Sequence, residues 1–361
     1  MRLGSAFDMI TALAPTETTR DYRNAGIMLV LVCAAGAAIL AELVLGPVSI
    51  PVSEMVALII GGADPANEAI LVQIRLPRVL TGIAVGVALA LGGTAMQGVL
   101  RNPLADPGLI GITGGAALGA VAVLVLGDVL FAGVPDALRP FLLPMAAFCG
   151  AMGVTAFIFA LSRRGGAMSV ATLILAGVAV NAIAAAGIGA MVFISDDQQL
   201  RSLTFWSIGA LGGANWTLVM VCCTVTFLAG LSLLQFSRAL DLFQVGERAA
   251  FHSGLDVEAA KFKLAALTAL AVGVVTAAAG PIGFIGLMSP HIARLILGPA
   301  HRWVLPGSAL VGVTLVLMAD LGVRMAVPPA EPPIGIATSL LGGPFFLWLL
   351  LTRMRGERLG A

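Results

Sequence analysis

The sequence predicts an all-α, polytopic membrane protein, with ten transmembrane helices arranged as two inverted five-helix halves. Three observations predict it. Hydrophobic residues make up 59% of the 361-residue chain and charged residues 11%. With a mean hydropathy of +1.03, such a chain cannot present a charged surface to water all around, so its solvent is lipid. Ten apolar stretches approach the roughly 20 residues needed to cross hydrocarbon: 26–45, 77–100, 107–127, 138–162, 170–194, 214–235, 257–280, 283–298, 302–326 and 333–353. Finally, Val85–Pro103 can be laid on Val272–Pro290 without a gap, and seven of the nineteen positions agree, among them Gly93/Gly280 and Pro103/Pro290. Gly/Ala-rich apolar helices resemble one another by composition, but an internal duplication is the favoured reading. The repeats fall on the second and seventh spans, five crossings apart. Five is odd, so they enter the membrane in opposite directions, the inverted-repeat arrangement of transporters.

Residues 1–25 are polar and precede the first apolar run without a cleavage site, so that run reads as a retained helix behind a cytoplasmic N-terminal segment. In the second and third spans, Gly82/Gly86 and Gly111/Gly115/Gly119 recur at helical spacing. Small residues so placed let helix backbones approach closely, which matters where apolar side chains gain nothing by leaving lipid. The eighth span is short and interrupted by Pro290. Residues 26–353 thus form one ten-helix domain, and 354–361 a cytoplasmic tail. With the N-terminus inside, fifteen of the twenty Lys and Arg residues fall on the cytoplasmic side, as basic residues resist translocation. Only Arg75, Arg78, Arg139, Arg201 and Arg324 fall outside, among acids such as Glu54, Asp64, Glu331 and, near the end of the first span, a wetted Glu42. All four cysteines lie inside apolar spans, where they act as small packing residues and imply no disulfide.

Catalytic classes fare poorly. No G-x-x-x-x-G-K-[ST] loop is present, so any ATP must be used by another subunit. There is no H-E-x-x-H and no G-x-S-x-G, and Ser289 beside Pro290-His291 has no nearby acid to orient a base. An ion-coupled carrier needs ionisable groups deep in the membrane. The clearest here is Asp320, with Arg324 one turn later on the same face, a pair equally well read as structural. No basic cluster interleaved with aromatics suggests nucleic acid. Energy therefore enters from outside the membrane domain, and the longest cytoplasmic loop, 236–256, is the place for it. Gly246 and Gly254 bracket a stretch, Glu247–Ser253, able to form two helical turns. It suits a groove on a soluble partner, and equally an ordinary polar connector. Outside, Arg75 and Arg78 flank Leu76-Pro77, and with Arg324 they could register an acidic soluble partner, although membrane-end arginines more often snorkel.

At these motifs the chain resembles the FecCD family, permease subunits of type II ABC importers for iron chelates and cobalamin. The similarity spans about Gly26 to Arg353 and rests on Arg75-Leu76-Pro77-Arg78, Asn102-Pro103-Leu104-Ala105-Asp106-Pro107-Gly108, Leu175-Ala176-Gly177-Val178, Gly246-Glu247, Gly280-Pro281-Ile282-Gly283-Phe284-Ile285-Gly286-Leu287 with Pro290-His291, and Glu331-Pro332-Pro333-Ile334-Gly335. The resemblance implies a homodimer in a bacterial inner membrane with the substrate path on its two-fold axis. Two cytoplasmic ATPase subunits, which hold ATP and Mg, and a periplasmic binding protein would complete it; the chain itself holds no cofactor or metal. It further implies that Arg75, Arg78 and Arg324 dock the binding protein, and that Gly246, Glu247, Arg248, Ala249, Gly254 and Leu255 engage the ATPase. Leu175, Ala176, Gly177 and Asn181 would line the path with Gly342, Gly343 and Pro344, and Gly165–Val170 would hold the cytoplasmic gate, although GGAMSV there lacks the hydroxyl residues of the cobalamin pattern. Likeness in the segments 297–303 and 342–348 favours haem as cargo, then a ferric siderophore, then cobalamin. An ion-coupled secondary transporter is the remaining alternative.

Overall fold

One helix organises the rest of the computed structural model, which describes residues 17–164, 167–328 and 330–359. In chain order the elements are α1 (Glu17–Val44), α2 (Val52–Ile60) and the unbroken α3 (Pro65–Leu100). After a 3-10 turn at Pro107–Ile110 come α4 (Ile112–Leu130), α5 (Arg139–Ser162) and α6 (Val170–Ile194). Then follow α7 (Asp197–Ile208), α8 (Trp216–Leu234), α9 (Ser237–Val245) and α10 (Glu247–His252). The chain closes with α11 (Val257–Ala279), α12 (Ile285–Leu297), α13 (His301–Ala326) and α14 (Ile334–Leu359). Two short strands, β1 (Arg163–Arg164) and β2 (Ala167–Met168), pair antiparallel between α5 and α6.

Among the described residues, nine helices are long and apolar enough to cross a membrane. The tenth apolar run, α12, has 13 residues and spans about 20 Å at 1.5 Å per residue, short of the roughly 30 Å hydrocarbon thickness. All ten apolar runs are helical, and several boundaries move. The first helix starts at Glu17 rather than 26, and the last runs to Leu359 rather than 353. The second span starts at Pro65 rather than 77, because the chain enters it through a π-helical turn at Ile70–Arg75. The third starts at Ile112 rather than 107, because the Asp106 carboxylate accepts from the Gly108 N–H at 2.7 Å and holds the 3-10 turn. Helices α2 and α7 were not anticipated, since neither is long enough to register as a span. α7 starts from a capping box in which Asp196 accepts from the Gln199 N–H at 2.8 Å and Gln199 accepts from the Asp196 N–H at 3.2 Å.

α3 is 36 residues long, about 54 Å, and every residue from Ala88 to Leu100 is buried. α8, α11, α12 and α13 pack directly on it. What lets them do so is missing side chains. A Cβ on Gly86 would sit 2.6 Å from the Val313 backbone nitrogen, and one on Gly93 would sit 1.9 Å from the Gly286 carbonyl oxygen. α4 and α5 approach in the same way, Gly115 against the Gly150 carbonyl at 2.3 Å and Gly150 against the Gly115 carbonyl at 2.2 Å. The spacing of Gly82/Gly86 and Gly115/Gly119 is therefore a packing code. α3 and α11, the helices whose sequences match in register, lie against each other in this core. By contrast α6 and α14 leave large apolar side chains uncovered, among them Phe193 (89%), Leu175 (70%) and Leu340 (70%).

Gly93→Ala is expected to lower stability by about 3 kcal/mol, because nothing but backbone stands in the way of the new methyl. Gly36→Ala on α1, with open space around it, is expected to be neutral or slightly stabilising. Thermal unfolding of the two variants in detergent separates the outcomes.

Candidate transport and coupling sites

Where the C-terminal ends of α1 and α13 meet the first half of α3, three arginines and three carboxylates form one cluster. Arg78 lies in the first turn of the buried part of α3, and its Nε and Nη2 donate to the two oxygens of Asp320 at 2.7 and 3.0 Å. Its Nη1 donates to Glu331 at 2.7 Å. Arg324 pairs with Glu42 at 2.7 Å and, one helical turn back, with Asp320 at 3.4 Å. Arg75 donates to the carbonyls of Leu43 and Val48, which ties α3 to the end of α1. Such a bidentate guanidinium–carboxylate pair is strong where water is excluded.

These contacts correct two expectations. Glu42 is not wetted: it is 1% exposed, because α13 brings Arg324 onto it. Nor do Arg75, Arg78 and Arg324 project from the outer face. They are 3–4% exposed, since carboxylates and carbonyls from α1, α13 and the 331 segment are gathered around them. The intrahelical Asp320–Arg324 pair does form, but Asp320 is held more closely by Arg78. Only Glu331, with 47% of its side chain exposed, opens the cluster to solvent.

The residues assigned to the path divide. On α6, Leu175 is exposed and Ala176 half-buried, whereas Gly177 turns inward, where a Cβ would meet the Leu109 carbonyl at 1.9 Å. Asn181 also faces inward and donates to the Gly108 carbonyl at 3.2 Å. On α14, Gly343 and Pro344 are exposed, but Gly342 is covered by the Phe284 ring. Phe284 lies within the Gly280–Leu287 motif, to which no path role was assigned. Its φ of +68° is a left-handed conformation rare for a side chain this large. It starts a run of aromatic contacts through Phe346 (6.2 Å) and Phe345 (5.2 Å) to Trp348 (6.3 Å).

On the opposite side, α9 and α10 meet at Gly246 (φ +131°), and Gly254 (φ +86°) ends the second of them. The bracketed helix runs from Glu247 to His252, close to the stretch the glycines predict. Gly254 N–H donates to the Phe251 carbonyl and Leu255 N–H to the Ala250 carbonyl, closing the turn. Arg248, Ala249 and Phe251 are exposed, and so is Val245 at the end of α9, while Ala250 is the inward anchor. Leu255 is half-buried against the main core. Glu247 faces inward and pairs with Lys261 of α11 at 2.7 Å. The Gly165–Val170 stretch begins with two residues outside those described; Met168, Ser169 and Val170 line a cleft with Gly246, Glu247, Arg248 and Arg101.

Beside this surface, Asp241 of α9 accepts from the His301 backbone N–H at 2.9 Å and lies 2.7 Å from His301 Nδ1. It thereby caps α13 from another helix, a favourable place for negative charge. Burial works to raise Asp241, but the hydrogen bonds from His301 outweigh it and hold the carboxyl below the usual carboxylate range. Among the described residues there is no group of three or more His, Cys, Asp or Glu able to hold a metal ion.

Residues 30–352 match the FecCD transport family. The chain is 46% identical over 288 residues to the hemin transport system permease protein HmuU of Yersinia pestis, covering 80% of this chain and 84% of that one. It is 39% identical over 298 residues to the vitamin B12 import system permease protein BtuC of Shigella sonnei, covering 80% and 85%. A solved structure described as an inward-facing conformation of an ABC transporter of the metal-chelate type superposes with a TM-score of 0.80. It is 30% identical and covers 91% of this chain and 99% of that one.

Arg324→Leu leaves the buried Glu42 carboxylate without its cation, at a cost of about 3–5 kcal/mol. Glu331→Gln at the exposed edge is expected to cost under about 1 kcal/mol. Detergent thermal melts should therefore fall sharply for the first and barely for the second. For Asp241 the sign follows from its depressed value. Its stabilisation is present above the ordinary carboxylate range near about 3.9 and is lost as pH falls through the lower folded-state value. Melts of the wild type and Asp241→Asn between pH 6 and about 3 should converge at the acid end.

Proposed function

Since the chain belongs to the FecCD transport family and is a membrane permease rather than an enzyme, we propose that it carries haem inward for an ATP-driven importer. In this reading two copies form the path between them, in a bacterial inner membrane with both termini cytoplasmic. Two ABC ATPase subunits supply ATP and Mg from the cytoplasm, and a periplasmic binding protein delivers the cargo. The hemin permease at 46% identity favours haem over a ferric siderophore or cobalamin.

The observation that carries the energy side of the proposal is α10. It is a two-turn helix that hinges at two left-handed glycines and presents Arg248, Ala249 and Phe251 outward. Six residues gain little helical stability alone, and an exposed aromatic beside an arginine is the composition of a protein contact. Gly246, Glu247, Arg248, Ala249, Gly254 and Leu255 would then sit on the ATPase. Docking of the binding protein is assigned to Arg75, Arg78 and Arg324 in modified form. An incoming acidic side chain reaches Arg78 by taking the place of Glu331, the exposed member of the cluster. Leu175, Gly343 and Pro344 are the members of the path set that face away from their own chain, with Ala176 half-buried beside them. Gly177, Asn181 and Gly342 shape that wall from behind.

Liposomes containing the permease, the ATPase and a haem-loaded binding protein should accumulate haem only with ATP. The variants Arg248→Glu and Phe251→Ala should reach the membrane normally and lower cargo-stimulated ATP hydrolysis by roughly tenfold, the effect of losing about 1.4 kcal/mol at an interface anchor. Haem accumulation by the permease alone, collapsing with an ionophore, would establish an ion-coupled carrier instead.

A further inference from the structure

Lys261 stands in the second turn of α11, and in sequence it reads as one more cytoplasmic cation. In the fold it is 1% exposed. A buried ammonium is costly unless each of its three protons finds an acceptor. Here it finds three, from three separate places. Nζ donates to Glu247 of α10 at 2.7 Å, to Glu258 of α11 at 3.3 Å and to the Met168 carbonyl of β2 at 3.3 Å. The other oxygen of Glu258 accepts from the Met168 N–H at 2.6 Å. Both backbone groups of Met168 are therefore gripped by one Glu258–Lys261 pair, and the same ammonium holds the helix proposed to rest on the ATPase.

Met168 is not an incidental residue for such a grip. The next residue, Ser169, is the N-cap of α6, its hydroxyl accepting from the Thr172 N–H at 3.3 Å. α6 carries Leu175 and Ala176, packs on α4 and α5 along one face, and leaves Leu175, Val178, Ile183 and Phe193 uncovered on the other. A charge-assisted connection from α10 to the start of α6 thus runs through one nitrogen: Glu247, Lys261, then the Met168 peptide. Side-chain hydrogen bonds between charged groups are directional and short, so they transmit a displacement better than apolar packing, which can slide.

From this geometry we infer that Lys261 is a positioning residue that transmits movement of α10 to the start of α6, and so ties ATP hydrolysis to cargo passage. It touches neither nucleotide nor cargo. The inference rests on the reading of α10 as the ATPase contact. It adds that the contact is mechanically idle without Lys261.

The test uses the complete assembly in liposomes and reads two quantities, ATP hydrolysed and haem transported. Wild-type uptake establishes the transport reading by itself, before any variant is considered. Lys261→Met is then expected to assemble with the ATPase and keep basal hydrolysis, while ATP consumed per haem rises roughly tenfold, the scale of coupling within one charged network. Lys261→Arg, which can donate to the same three acceptors, should bring that ratio most of the way back. A residue that merely stabilised the fold would change assembly and not the ratio. Should Lys261→Met fail to assemble, Glu258→Ala supplies the second measurement. It frees the Met168 N–H at a half-buried surface position and should raise the ratio severalfold. A wild-type ratio in Lys261→Met, or in Glu258→Ala where Lys261→Met does not assemble, overturns the inference.

Discussion

The structure depends on backbone meeting backbone along α3. In lipid there is no hydrophobic gain from bringing apolar helices together, so cohesion has to come from contact distance. Gly86 and Gly93 supply it by leaving no Cβ between α3 and the main chains of α13 and α12. With α11 and α8 also packed on α3, α3 and α11 become the centre of the molecule, and the remaining helices surround them. Short α12 is possible because its neighbours cover it: Ser289, Pro290 and His291 are buried although the helix cannot cross hydrocarbon alone.

Charge is treated in opposite ways at the two ends of this core. At one end three arginines and three carboxylates are pulled together, so that the guanidinium groups of α3 and α13 lock α1 and the 331 segment in place. A matched cluster of this kind adds little net stability but penalises any arrangement that separates its members. At the other end, Lys261 serves two glutamates and a carbonyl drawn from α10, α11 and β2. The first fixes geometry, and the second links parts.

Much of this was legible in the chain. Ten apolar runs gave ten helices, and glycine spacing marked the tight interfaces because a missing side chain has the same meaning in sequence and in space. The bracketed helix at Glu247–His252 was legible for a similar reason, since left-handed glycines announce their turns. What stayed hidden was pairing across long separations. Glu42 and Arg324 are 282 residues apart and Arg78 and Asp320 are 242 apart, and no local pattern reports that they meet. Arg75 and Arg78 looked like surface charges because their partners come from elsewhere. Lys261 could have drawn attention through Glu258 three residues before it, but its decisive partners, Glu247 and Met168, lie outside its helix. Helices α2 and α7 were missed because a scan for long apolar windows does not register short helices.

The burial of α3 also bears on how such a scaffold can diverge. Where a single methyl would collide with main chain, almost no substitution is admissible, and a residue at Gly93 cannot be traded for selectivity. On α6 and α14 the restriction holds at inward positions such as Gly177 and Gly335, while Leu175, Leu340 and Trp348 project away from their own chain, and exchanging them leaves the central helices undisturbed. The molecule therefore separates an immutable spine from editable walls. Relatives named for cargoes as unlike as hemin and vitamin B12 are the diversity such a division of labour permits.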